Sequence, residues 1–124
     1  MRNRRFPPPD VRVAQAGPAR IYYETAGGGS PLVLLHGLSG STRWWRKNTG
    51  FLAQHFQLFA ADLAGFGRGR GQRFRLADAA PLLLDWLEQL GLPSFNLIGH
   101  SMGGYIAADM AAQAGARVRR LVLV

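Results

Sequence analysis

Phe95-Asn96-Leu97-Ile98-Gly99-His100-Ser101-Met102-Gly103-Gly104 decides how the rest of the chain is read. A short apolar run stops at a glycine, a serine follows two residues later, and two more glycines open an Ala-rich stretch from Met102 to Ala114. The apolar run reads as a strand and the Ala-rich stretch as a helix, with Ser101 on the turn between them. A hydroxyl becomes a useful nucleophile when a sharp turn exposes it to a base. Such a turn strains the backbone and needs small neighbours two residues away on each side, which Gly99 and Gly103 are.

Outward from this turn the chain alternates. Upstream, Leu32-Val33-Leu34-Leu35 is an unbroken apolar run of the kind a sheet buried on both faces uses. Ser41 or Thr42 is placed to cap a helix carrying Trp44, Trp45, Phe51 and Leu52, and Phe56 to Ala61 reads as a second buried strand ending at Asp62. Leu76 to Leu90 carries a helical stripe through Ala80, Leu83, Leu84, Leu87 and Leu90, with Pro81 tolerable in the first turn or at a kink. Leu121-Val122-Leu123-Val124 reads as a further strand of the buried type, which would stand as an exposed apolar edge if the sheet stopped there. Before these lie two short strand-like runs, Val11 to Ala14 and Ile21 to Thr25, set off by a Gly27-Gly28-Gly29-Ser30-Pro31 turn. Strand–helix alternation implies right-handed crossovers, so the expected class is α/β, a mostly parallel sheet with flanking helices. Residues 1–10 read as a flexible Pro/Arg-rich leader and residues 11–124 as the folded part.

Two further runs bear on chemistry. His36-Gly37-Leu38 ends the first buried strand, where a loop N–H, most simply that of Leu38, would stabilise the negative charge that acyl transfer builds on a carbonyl oxygen. The N–H of Met102, at the start of the helix after Ser101, is the matching donor, because the first N–H groups of a helix are unpaired and its dipole favours an anion. His36 and His100 are candidates for the pocket wall; each also has a purely structural reading, His36 as a hydrogen-bonded loop residue and His100 as packing under the turn. Asp62-Leu63-Ala64-Gly65-Phe66-Gly67-Arg68-Gly69 follows the second buried strand, and no window in it has all three glycines of a dinucleotide fingerprint.

These three runs, in this order, resemble the serine-nucleophile α/β-hydrolase superfamily, over about Val11 to Val124. The resemblance implies an esterase, lipase, lactonase, C–C hydrolase or cofactor-free haloperoxidase, with Ser101 as nucleophile, the Met102 and Leu38 N–H groups as oxyanion donors, and Trp44 or Trp45 as the aromatic that often follows the His-Gly loop. A serine here argues against the branches that use aspartate, the dehalogenases and epoxide hydrolases. One departure is Gly69, where the family commonly has serine. An ester-like small molecule is the expected substrate, with no cofactor and no metal.

The chain of 124 residues has no cysteine, which excludes disulfides and thiol nucleophiles. Fourteen arginines and Lys47 against seven acids give a formal charge of +8. That charge would attract nucleic acid if a motif organised it, as the Phe66-Gly67-Arg68-Gly69-Arg70-Gly71 run superficially does; spread over leader and loops, it fits solvated arginines better, and nucleic acid is not an expected partner. No signal-peptide core follows the basic N-terminus and no run is long enough to cross a bilayer, so the expected setting is cytoplasmic, away from membranes.

One requirement is unmet. In this fold the nucleophile is followed along the chain by an acid and then a histidine. The 23 residues after Ser101 hold one acid, Asp109, and no histidine. Asp109 lies eight residues down a helix, roughly 12 Å away along its axis. The chain therefore reads as a hydrolase core cut after about its sixth strand, a truncated or incompletely sequenced product. A non-catalytic remnant or interaction module of the same fold is the alternative, and a basic nucleic-acid-binding protein the weaker one.

Overall fold

In a computed structural model, residues 6–124 are described. The reading of Arg2, Arg4 and Arg5 as part of a leader lies outside the described residues. Phe6 packs against Gly50, close enough that a Cβ there would meet its ring.

Six strands form one mixed sheet: β1 (Asp10–Ala16), β2 (Ala19–Ala26), β3 (Ser30–Leu35), β4 (Phe56–Asp62), β5 (Phe95–Gly99) and β6 (Val118–Leu123), in the order β1-β2-β4-β3-β5-β6. β3, β4, β5 and β6 pair in parallel, and β2 runs against both β1 and β4. The β1–β2 hairpin turns on Gly17-Pro18, with Gly17 at φ +53°; a two-residue turn whose first position has positive φ suits the twist of antiparallel strands. Three helices complete the alternation: α1 (Arg46–Leu52), α2 (Leu76–Gln89) and α3 (Met102–Ala114).

β3 shows why an unbroken apolar run is a central strand. It pairs with β4 on one edge and β5 on the other. Because side chains alternate along a strand, Val33 and Leu35 join the core under α2 and α3, with Phe59, Leu83, Trp86, Leu97 and Ile106. Leu32 and Leu34 join a smaller core on the opposite face with Leu58, Ala60 and Trp45.

Three expectations are corrected. The helix expected to carry Trp44 and Phe51 is a 3₁₀ turn, Thr42–Trp45, followed by the short α1, and only Trp45 of the two tryptophans is buried. Pro81 is the sixth residue of α2, past its first turn. It is tolerated because it is exposed and the carbonyl of the exposed Ala77, which loses its i+4 donor, can be solvated. The C-terminal run is a strand but not a buried one: Leu121, Val122, Leu123 and Val124 are 36%, 48%, 58% and 70% exposed. β6 is an edge strand, and nothing among the described residues pairs with its outer side.

Candidate active site

β5 ends at Gly99 and α3 starts at Met102, so His100 and Ser101 make the whole turn between them. Ser101 sits at φ +54°, ψ −118°, a backbone region in which a side-chain-bearing residue costs on the order of 1–3 kcal/mol and which persists only where its surroundings enforce it. The enforcement is visible in the neighbouring glycines. A Cβ on Gly99 would run into the Gly103 carbonyl, and one on Gly103 would run into the Leu35 and His36 carbonyls. The strand end, the helix start and the end of β3 are packed backbone to backbone, and the serine is the residue left projecting. Its N–H donates to the Val124 carbonyl at 2.8 Å, and its carbonyl accepts from Gly104 and Tyr105 at 2.8 and 3.1 Å. Ser101 is exposed.

The loop after β3 lies against this turn. A Cβ on Gly37 would stand 3.2 Å from the Ser101 Cβ, so the Gly37-Leu38 backbone borders the serine directly. No hydrogen bond among the described residues occupies the N–H of Leu38 or that of Met102. The Leu38 side chain is 68% exposed. Trp44 stacks on the His100 ring at 4.4 Å between centroids, 28° from parallel, so this pair stands as an aromatic wall next to the nucleophile.

His36 is placed differently. It is buried, and its ring faces the loop after β4. The Leu63 N–H lies 3.0 Å from Nε2. An amide N–H can only donate, so Nε2 accepts, the ring proton is on Nδ1, and Nδ1 donates to the Gly37 carbonyl at 2.8 Å. Burial pushes the His36 pKa below its ordinary value, against smaller upward pulls from the Gly37 carbonyl and the Asp62 charge. A neutral imidazole with both nitrogens occupied pins the His-Gly loop; it has no nitrogen left to take a proton from Ser101. His55 precedes β4 at the end of the strand away from Asp62 and packs on Phe51 at 5.2 Å. No side chain among the described residues hydrogen-bonds the Ser101 hydroxyl.

Asp62 was legible only as a strand end, yet it ties the site together. Its buried carboxylate accepts from the Thr42 N–H at 2.9 Å, the Arg68 N–H at 3.3 Å and Arg68 Nη1 at 3.2 Å. Arg68 in turn reaches Glu24 at 3.1 Å and the Thr42 hydroxyl at 3.1 Å. Together with the His36–Leu63 bond, this latches the loop after β3 to the loop after β4. The signal was present: an acid closing an apolar strand must be paired if buried, because an unpaired buried charge is very costly. Arg68 therefore belongs to this latch, whatever the Arg-Gly spacing of its run.

Residues 30–124 match the family model described as alpha/beta hydrolase fold. The chain belongs to this family. Among its relatives is the 1-acylglycerol-3-phosphate O-acyltransferase of Homo sapiens, 38% identical over 102 residues, which are 77% of this chain and 29% of that protein. The (lyso)-N-acylphosphatidylethanolamine lipase of Homo sapiens is 36% identical over 101 residues, 77% of this chain and 30% of that one. Among solved structures, an epoxide hydrolase without ligand superposes with a TM-score of 0.85 at 32% identity, over 93% of this chain and 41% of its own. The chain thus spans well under half the length of the family members it matches. No helix among the described residues is long and apolar enough to cross a membrane, and no cluster of metal-ligating side chains occurs among them.

Proposed function

We propose that this chain carries the nucleophile and the oxyanion donors of a serine hydrolase acting on an ester or related acyl bond of a small molecule. Ser101 Oγ attacks the acyl carbon and loses its proton to a base. The carbonyl oxygen becomes an oxyanion between the Leu38 and Met102 N–H groups, and the alcohol leaves with a proton as the acyl-enzyme forms; water then releases the acid by the reverse sequence. None of the three histidines hydrogen-bonds the Ser101 hydroxyl: His36 is fully engaged, His55 is remote and His100 stacks on Trp44, so we assign the base and its orienting acid to residues other than these. The acyl-lipid chemistry in the names of two relatives supports an acyl bond over an epoxide or a halide, as does serine in place of aspartate. The single observation that carries the reading is the enforced positive φ of Ser101 between glycines that admit no side chain.

A fluorophosphonate probe tests it. In protein expressed from the complete gene, labelling is expected and Ser101→Ala should abolish it; no labelling there removes Ser101 as nucleophile. The 124-residue chain alone should label weakly or not at all. Strong, Ser101-dependent labelling of that chain would show that the base lies within it.

A further inference from the structure

Away from Ser101, a cleft of about 330 Å³ opens between the β1–β2 hairpin turn and the first two turns of α2. Ile21, Leu63, Phe74, Ala79, Leu82 and Leu83 are among the apolar residues of its wall. Gln72 clamps the covering loop to β2, accepting from the Arg20 N–H at 2.7 Å and donating to the Arg20 carbonyl at 2.8 Å, so the cleft has a fixed edge on that side. Arg73 and Arg75 also line it, and both are exposed. Arg75 meets Asp78 only at a long 3.8 Å across solvent, and Arg73 pairs with no carboxylate among the described residues. α2 begins at this same rim with no side-chain cap, which leaves its first N–H groups and the positive end of its dipole there. No residue of the Ser101 turn or of the His36-Gly37-Leu38 loop lines the cleft, although Asp62 and Leu63 of its wall also belong to the latch.

We propose that this cleft binds a medium-chain aliphatic carboxylate, tail against the apolar wall and head at Arg73 and Arg75. An apolar lining with a few polar groups at one end is the usual form of a small-molecule site. Two carboxylates line the cleft, but that of Asp62 is taken by Arg68 and the Thr42 N–H; Arg73 and Arg75 against Asp78 leave the rim cationic, which selects an anion over a neutral amphiphile. A compact anion such as phosphate would leave the apolar wall unused.

Calorimetric titration with butanoate, hexanoate, octanoate and 1-octanol tests the proposal. Affinity should rise about fourfold per added methylene, and 1-octanol should bind about tenfold more weakly than octanoate. Arg73→Gln, on the surface, should weaken octanoate about fivefold and leave 1-octanol unchanged. Ala79→Leu, which fills the cleft, should abolish binding of both, and Ser101→Ala should leave the affinity for octanoate as in wild type. Absence of octanoate binding, no dependence on chain length, equal affinity for octanoate and octanol, unchanged binding in Ala79→Leu, or loss of binding in Ser101→Ala would each overturn it.

Discussion

β3 and β6 carry nearly the same letters, Leu-Val-Leu-Leu at 32–35 and Leu-Val-Leu-Val at 121–124, and have opposite surroundings. β3 is paired on both edges and covered on both faces, its four side chains at most 3% exposed. Among the described residues β6 pairs only with β5, and its side chains from Leu121 on stand in contact with solvent. The comparison separates two things that an apolar run is often taken to signal together. Composition reports that a strand can be buried on both faces; whether it is buried depends on elements elsewhere in the chain. The Ser101 turn lies between the two strands, its His100 N–H donating to the Leu35 carbonyl on one side and its Ser101 N–H to the Val124 carbonyl on the other.

The hardest test of that asymmetry is made through two adjacent glycines of α3. Gly103 faces the end of β3, where a Cβ would run into the carbonyls of Leu35 and His36, both fixed in a packed backbone. Gly104 faces the other way; a Cβ there would be 3.1 Å from the Gly99 carbonyl and 3.7 Å from a methyl of Leu123 on β6. Gly103→Ala is expected to cost more than about 4 kcal/mol, in the range reserved for severe steric or polar disruption. Gly104→Ala should stay within about 1 kcal/mol of wild type, since the helix preference for alanine offsets a tight contact. Urea melts of the two variants decide it, and equal losses would mean that the elbow is not braced against β3.

Truncating one leucine in each strand is the next step down. Leu34→Ala empties a site packed on both sides and should lose about 2–5 kcal/mol. Leu123 is more than half exposed, so Leu123→Ala should lose less than about 1 kcal/mol. Thermal unfolding of both variants measures the difference. Comparable losses would show that β6 is covered in solution, by another copy or by another part of the protein.

How far this arrangement could be read in advance follows the range of the interactions. The Ser101 turn, its glycines, the strand before it and the helix Met102–Ala114 were legible because every determinant lies within a few residues. The strand character of β3 and β4 was legible from their unbroken apolar runs. Neither the antiparallel setting of β2 nor the exposure of β6 has a local signature; both depend on which strand comes alongside. The latch was hidden for the same reason. Thr42 and Asp62 are 20 residues apart and His36 and Leu63 are 27 apart, and no spacing rule connects them, although a buried acid and a loop histidine each announced that a partner had to exist.

His36, at the carboxyl end of β3, gives the smallest effect and the one that pH can switch. Its pKa is lowered in the folded protein, chiefly by burial, so the folded state disfavours the imidazolium. Unfolded, the ring titrates near 6.5. Between the folded value and 6.5 the unfolded chain therefore binds more protons than the folded one, and stability rises with pH there. The contribution is fully present above 6.5 and is lost as pH falls through 6.5 to the folded value. The structural event is specific: a protonated Nε2 can no longer accept the Leu63 N–H, and the loop that carries Leu38 loses its tie to Leu63, keeping those through Thr42 to Asp62 and Arg68. His36→Phe, which keeps the ring volume, should cost about 1–3 kcal/mol at neutral pH by stranding the Leu63 N–H and the Gly37 carbonyl, and should flatten this acid limb of the Tm profile. An unchanged slope below pH 6.5 in His36→Phe would assign the acid sensitivity to other groups and leave β3 with no titratable brace.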